Sequence, residues 1–167
     1  NPNAQYRDVL TEDDVLSARE ISYPLTLAMC SPIGDGAAAA IIVSEKMAKQ
    51  LGQDRMVKVR ASVLRSGWDY EQSEAGVTEV VAKETYETAG IGPEDLDVIE
   101  LHDASSPAEL MYYEYLGLCK KGEATRMIQD SETKLGGSIP VNPSGGLLRK
   151  GHPVGATGLA QVHELVE

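Results

Sequence analysis

Two histidines in this 167-residue chain stand where side chains can do chemistry. His102 is followed at once by Asp103, and His152 sits between Gly151 and Pro153 in the stretch VNPSGGLLRKGHPVGATGLAQ, residues 141–161. Residues 136–158 hold seven glycines, against about one or two expected at ~7% average usage. Glycine at that density, outside a repeat, marks backbone that turns tightly or approaches a ligand closely. A surface loop carrying a solvated histidine is the plainer alternative.

Other chemistries fit the residues less well. A zinc site would use spacings such as CxxC or HExxH, and neither occurs, so no metal site is expected. There is no GxxxxGK[ST] phosphate loop, and Ser144 stands in PSGG rather than in a GxSxG elbow. Ser105 or Ser144 with His152 and Asp103 would supply the residue types of a Ser–His–Asp triad, but without a local signature. Cys30 lies in an apolar stretch, and Cys119 follows a helix end, where the dipole disfavours a thiolate. Both read as small buried hydrophobes. His163, inside the last helical pattern, reads as a core-edge residue.

The elements that must position the two histidines repeat one theme. Residues 97–101 (DVIEL) read as a strand, and His102-Asp103 follow. Ser106, Pro107 and Glu109 then supply an N-cap, a first-turn proline and a capping-box acid for a helix over residues 107–116, stopped by Gly117. Residues 138–142 read as a short strand that Pro140 confines to an edge or a bulge. The glycine loop follows, then a helix over residues 156–167 with Leu159, Val162 and Val166 on one face. Two histidines carried by equivalent strand-to-helix turns could converge on one site, in the crevice where open α/β sheets bind ligands.

Upstream, residues 1–10 are polar and irregular. Thr11 and Asp14 form a capping box for a helix over residues 12–20, which Tyr23-Pro24 ends. Gly34-Asp35-Gly36 makes a turn, residues 37–43 read as a buried strand, and Ser44 caps a helix over Glu45–Leu51 closed by Gly52. Residues 56–65 alternate, with Val57, Val59, Ala61 and Val63 on one face, as in a half-exposed strand. Polar, turn-rich residues 66–76 mark a subdomain boundary. A helix over Val77–Ala89 ends at Gly90, and residues 122–131 hold a short helix and loop. Strands alternating with helices argue an α/β layered fold.

Composition sets outer limits. A chain of this length supports one domain with a real core. No apolar run approaches the ~20 residues that span a bilayer, and a net charge of −11 argues against nucleic-acid and anionic-membrane partners. An anionic ligand would need backbone N–H groups or placed cations such as Arg149 and Lys150. Two cysteines make no disulfide framework, so a reducing, cytoplasmic setting is expected. The start at Asn1 and the end inside a helical pattern at Glu167 lead us to expect a piece of something longer.

The motifs also carry a resemblance. NPSGGLLRKGHPVGATGLAQ closely resembles the C-terminal catalytic loop of the thiolase superfamily, most specifically in Gly151-His152-Pro153 and in residues 155–158. LHDASSPAELMYYEYLGLC is similar to the HDCF-type block of the sterol-carrier-protein-like thiolases, a group that includes lipid-transfer proteins and acetyl-CoA acetyltransferases. PLTLAMCSPIGDGAAAAIIVSE resembles the end of the first half of that fold. The resemblance implies a layered αβαβα fold of two similar halves, with residues 1–66 closing the first and 67–167 forming most of the second.

It further implies acyl transfer on acyl-CoA thioesters, by thiolysis or the reverse Claisen condensation, with coenzyme A esters as substrates and no resident cofactor. His152 matches the family's general base. His102 matches an oxyanion-hole position that is asparagine in other thiolases. Asn142, Ser144, Gly145, Gly146, Gly151, Pro153 and Gly155 match its substrate-binding loop. The nucleophilic cysteine and the C-terminal Cys-x-Gly segment have no match here, since neither Cys30 nor Cys119 corresponds. The remainder of a thiolase chain is therefore an implied partner, and a homodimer or larger assembly is expected.

One departure stands out. The family's HDCF or HDAF becomes His102-Asp103-Ala104-Ser105, in a chain without phenylalanine. Related thiolase-fold aldolases of steroid side-chain degradation split 3-hydroxyacyl-CoA without the nucleophilic cysteine, beside a partner with an OB-like domain. They are the runner-up reading, with Tyr112, Tyr113 and Tyr115 as candidate acids or bases. A non-catalytic acyl-CoA-binding module is the third.

Overall fold

The computed structural model describes residues 2–52, 56–69, 71 and 75–167. They fall into two compact units, each discontinuous in sequence. The first comprises Asn1–Met56, Val98–Glu109 and Val141–Glu167, and the second Val57–Asp97 and Leu110–Pro140. Both histidine turns belong to the first unit. These units follow spatial proximity, so they cut across the expected division at residues 66 and 67. Part of the expected boundary at residues 66–76 lies outside the described residues.

In the first unit, α1 (Glu12–Ser17) opens on a full capping box. The Thr11 hydroxyl accepts the Asp14 N–H, and the Asp14 carboxylate accepts the Thr11 N–H. A short antiparallel hairpin follows, β1 (Glu20–Ser22) and β2 (Leu25–Thr26), turning through a cis Tyr23-Pro24 bond. The Thr26 hydroxyl ties this hairpin to α1 by donating to the Val15 carbonyl at 2.6 Å. Ser44 caps α2 (Glu45–Leu51), and Gly52 closes it in the left-handed conformation that glycine adopts without a Cβ penalty.

The second unit is built on α3 (Val77–Ala89), closed by a left-handed Gly90. The Tyr86 hydroxyl donates to the Leu116 carbonyl at 2.8 Å. Helix α4 (Ser106–Tyr115) starts in the first unit and ends in the second. Tyr113 on α4, with Met127 and Ala124 on α5 (Ala124–Gln129), is fully or nearly fully buried.

Most of the expected strands do not form ladders. Residues 37–43 and 56–65 carry no regular structure, and Ile41, Ile42 and Leu64 stand almost fully exposed. A strand persists only as a member of a ladder, and these stretches have no such partner among the described residues. The alternation survives in burial only at Ala61 and Val63, which are half-buried; Val57 and Val59 are exposed like Lys58, Arg60 and Ser62.

The two strands expected before the histidine turns do lie side by side, as a single parallel bridge between Ile99 and Val141. Pro140 has no N–H to extend the ladder. On the other side Asn142 adopts a positive φ of 51° and turns the chain out of it. Two short helices complete the unit: α6 (Gly146–Lys150), which the sequence did not signal, and α7 (Thr157–Val166).

Candidate active site

The histidines meet. The rings of His102 and His152 lie edge to face, with centroids 4.8 Å apart and planes at 83°. The segment carrying Cys30 joins both turns: Cys30 bridges to Ser105, Ile33 bridges in parallel to His152, and the His152 N–H donates to the Pro32 carbonyl at 2.9 Å. The sequence had suggested only a buried apolar role for that segment.

Asn142 fixes the first turn against the second. Its N–H donates to the Ile99 carbonyl at 2.7 Å, and its Oδ1 accepts the Leu101 N–H at 2.9 Å. Its Nδ2 donates to Glu109 at the head of α4 at 3.3 Å. The side chain thus completes the ladder that its left-handed backbone abandons. From the last helix, Gln161 donates to the Leu101 carbonyl at 2.6 Å. His102 is therefore attached to a residue held at both its N–H and its carbonyl.

Asp103 is buried, 1% exposed, and aims at the start of α6. Its carboxylate accepts the N–H groups of Leu147 at 2.7 Å and Leu148 at 3.4 Å, donors that the helix itself leaves unpaired. Burial pushes this carboxyl up to about 6, against the pull of those N–H bonds. The packing explains Gly146. A Cβ there would sit 2.1 Å from Asp103 Oδ2, and its φ is +60°.

Glu100 is the second buried acid and was not singled out in the sequence. Its side chain is fully buried, accepts both the N–H and the hydroxyl of Ser144 at 2.9 Å, and stands 3.6 Å from the Lys150 ammonium. The two ends of the PSGGLLRK segment are thereby drawn onto one carboxylate. Lys150 was a candidate anion-holding cation, and its ammonium instead faces Glu100 from a buried position.

His152 is half-buried, and its Nδ1 lies 2.8 Å from the Thr157 hydroxyl at the start of α7. Gly151, at φ +107°, lets the loop pass Gln5, where a Cβ would come within 2.5 Å of the side-chain oxygen. An opening of about 440 Å³ borders Gly151, Pro153 and Thr157, with Gln5, Arg7 and Asp35 around it. His102 keeps an accessible side chain. Partial desolvation first, and the adjacent His152 second, hold its imidazole below the ordinary histidine value, which favours the neutral ring.

The expected loop residues divide into two sets. Asn142 and Ser144 spend their polar atoms inside the fold, and Gly146 is buried against Asp103. Gly145 and Pro153 are partly accessible, Gly155 is open, and Gly151 borders the opening. A Ser–His–Asp arrangement finds no support here, because Ser144 bonds Glu100 and Asp103 bonds backbone N–H groups. His163 is exposed rather than at the core edge, as are Leu159 and Val162. Burial, then the carboxylates of Glu114, Glu123 and Glu132, push the Cys119 thiol up, which agrees with an unreactive cysteine. Among the described residues no cluster of His, Cys, Asp and Glu is arranged to hold a metal ion. No helix among them is long and apolar enough to cross a membrane.

Residues 70–167 match the family model described as thiolase C-terminal domain-like. The chain belongs to the thiolase family. It is 43% identical over 166 residues to the benzoylsuccinyl-CoA thiolase subunit BbsB of Thauera aromatica, covering 97% of this chain and 43% of that protein. Human sterol carrier protein 2 is 40% identical over 99% of the chain and 32% of its own length. The acetyl-CoA acetyltransferase of Methanothermobacter thermautotrophicus is likewise 40% identical, over 99% of the chain and 44% of that protein. The chain thus spans less than half the length of these relatives.

The thiolase-like fold has a solved counterpart in the Ltp2-ChsH2(DUF35) aldolase. It superposes with a TM-score of 0.76 at 26% identity, over 99% of this chain and 46% of that one. For a thiolase-family chain, the paired turns are the feature around which the first unit is built. The signal for Glu100 was present as the acid two residues before His102, but an acid in a strand pattern reads as solvent-facing. Thr157 was hidden in a glycine-rich run, where flexibility is the more obvious message.

Proposed function

We propose that this chain supplies the histidine half of a thiolase-type active site acting on acyl-CoA thioesters, in thiolysis of a 3-ketoacyl-CoA or the reverse condensation. The observation that carries this reading is the edge-to-face pair of His102 and His152, presented from two matching turns. In this reading His152 is the general base that deprotonates the nucleophile, a role worth typically 10²–10⁴ in rate. His102, held toward its neutral form, presents an N–H to the thioester oxygen as negative charge develops there.

The loop divides its labour accordingly. Asn142, Ser144 and Gly146 brace the turn from behind, while Gly145, Gly151, Pro153 and Gly155 let the substrate approach backbone. The nucleophile and a second acid/base come from the remainder of the thiolase chain, working as a homodimer or larger assembly. The coenzyme A thioester is substrate, and no resident cofactor takes part.

A second reading has its own observation. The solved counterpart is an aldolase complex, and Ser105 stands where the family motif carries an aromatic residue. In that reading the complete protein cleaves a 3-hydroxyacyl-CoA beside an OB-like partner protein. One assay separates the two: the complete protein is given a 3-ketoacyl-CoA with free CoA, or a 3-hydroxyacyl-CoA alone. Two acyl-CoA products from the first support thiolysis. A free carbonyl compound and a shortened acyl-CoA from the second replace it with the aldolase. Turnover of neither, with acyl-CoA still bound, leaves a binding module in place of an enzyme.

A further inference from the structure

The hydrogen-bond geometry around Thr157 bears on which nitrogen of His152 carries the proton. Thr157 is almost fully buried at the first position of α7. Its Oγ1 lies 2.8 Å from His152 Nδ1 and 3.1 Å from the Pro153 carbonyl oxygen, four residues back. A hydroxyl has one proton and two lone pairs. The Pro153 oxygen also accepts the N–H groups of Ala156 at 2.8 Å and Thr157 at 2.9 Å. Were the hydroxyl proton directed at Nδ1, the threonine and Pro153 oxygens would face each other at 3.1 Å with no hydrogen between them. Directed at the carbonyl, as threonines at helical positions commonly do, it leaves a threonine lone pair facing the ring. Nδ1 must then be the donor.

We infer that Thr157 is a positioning residue that holds neutral His152 as the Nδ1–H tautomer, leaving the Nε2 lone pair free to accept a proton. The same bond persists after proton uptake, because the imidazolium Nδ1–H still needs an acceptor and Thr157 Oγ1 remains one. The residue is braced as well, since the His152 backbone N–H is tied to the Pro32 carbonyl, while the ring itself is held at Nδ1 by Thr157 and packs edge to face on His102. This is the logic by which one nitrogen's hydrogen bond sets the role of the other.

The inference rests on His152 being the base only for its catalytic consequence, and the test keeps the two apart. In the complete protein, labelled with ¹⁵N-histidine, long-range ¹H–¹⁵N spectra at a pH where His152 is neutral report the tautomer. The His152→Gln variant assigns the signals. The expected result is a protonated Nδ1 and an unprotonated Nε2. In Thr157→Val that preference is lost, and kcat falls about ten- to a hundredfold with KM changed less than threefold. Thr157→Ser, which keeps the hydroxyl, restores both.

An Nε2–H tautomer in the unaltered protein overturns the inference, even if His152 proves essential. An unchanged tautomer in Thr157→Val overturns it too. An Nδ1–H tautomer in a protein indifferent to His152→Ala would uphold the inference while defeating the proposed function. If Thr157→Val does not fold, the tautomer of the unaltered protein and the Thr157→Ser variant still decide.

Discussion

The carboxylate of Asp103 accepts the backbone N–H of Leu147 at 2.7 Å, so the residue beside one histidine holds the helix that leads to the other. The bond compensates a helix start that has no side-chain cap of its own, and the carboxylate is buried to make it. Burial raises the folded-state pKa from 3.8 to about 6. Between about pH 4 and 6 the folded protein therefore binds more protons here than the unfolded chain does. Linkage then requires this residue's contribution to stability to fall as pH rises through that window, and to level off above it.

Asp103→Asn should remove that dependence. The rise corresponds to a difference on the order of 3 kcal/mol between the window's ends. Urea unfolding of both proteins at pH 4 and pH 7 measures it as a double difference. The unaltered protein should lose more stability on raising the pH than Asp103→Asn does.

Glycines in the loop should differ sharply from one another. Gly146→Ala places a methyl against Asp103 Oδ2 and forces a side chain into a left-handed φ, a conformation that alone costs roughly 1–2 kcal/mol. Gly155 has open space where a Cβ would go and no positive φ. Denaturant midpoints should drop markedly for Gly146→Ala and stay within about 0.5 kcal/mol of the unaltered value for Gly155→Ala. If Gly155 faces substrate, its alanine variant should instead raise KM.

These contrasts mark what the sequence could and could not tell. Helices written by caps and stop signals, as at Thr11, Ser44, Gly52 and Gly90, were legible because their determinants are local. Residues 37–43, four alanines followed by Ile41, Ile42 and Val43, and the alternating residues 56–65 both read as strands, but a ladder needs a second strand and no local pattern supplies one. The bridge between Ile99 and Val141 was legible in outline, and the turn at Asn142 that ends it was not, because a left-handed asparagine is sustained by Leu101 and Glu109 far along the chain. In the site, His102 and His152 stood out by type and setting. Glu100 and Thr157 act through partners 44 and five residues away, and only the folded chain brings those partners together.

Glu100 and Ser144 should behave as fold residues. Glu100→Gln leaves the Lys150 ammonium in a buried site without its counter-charge, a change that typically costs about 3–5 kcal/mol. Ser144→Ala removes one bond to that carboxylate and should cost about 1–2 kcal/mol. Thermal unfolding should order them with Glu100→Gln the less stable. KM for acyl-CoA should remain within about threefold for Ser144→Ala, if this serine braces the loop rather than touching substrate.

His102 offers a chemical test of the oxyanion role. An asparagine at this position can still present an N–H, and an alanine cannot. Loss of one such donor typically costs about 10²–10³ in kcat. Steady-state kinetics of the complete protein should show that loss for His102→Ala and a loss of less than about tenfold for His102→Asn. Equal losses would mean that His102 serves a need other than an N–H donor.

The most direct test of the account is the turnover of His152→Ala in the complete protein. A general base contributes typically 10²–10⁴ in rate, so thiolysis of a 3-ketoacyl-CoA should fall by at least about a hundredfold. Far-UV circular dichroism and the unfolding midpoint should stay close to the unaltered protein's, since the ring is half-buried and its contacts with Thr157 and His102 lie at the site rather than in the core. Near-normal turnover in a folded His152→Ala protein would contradict the account.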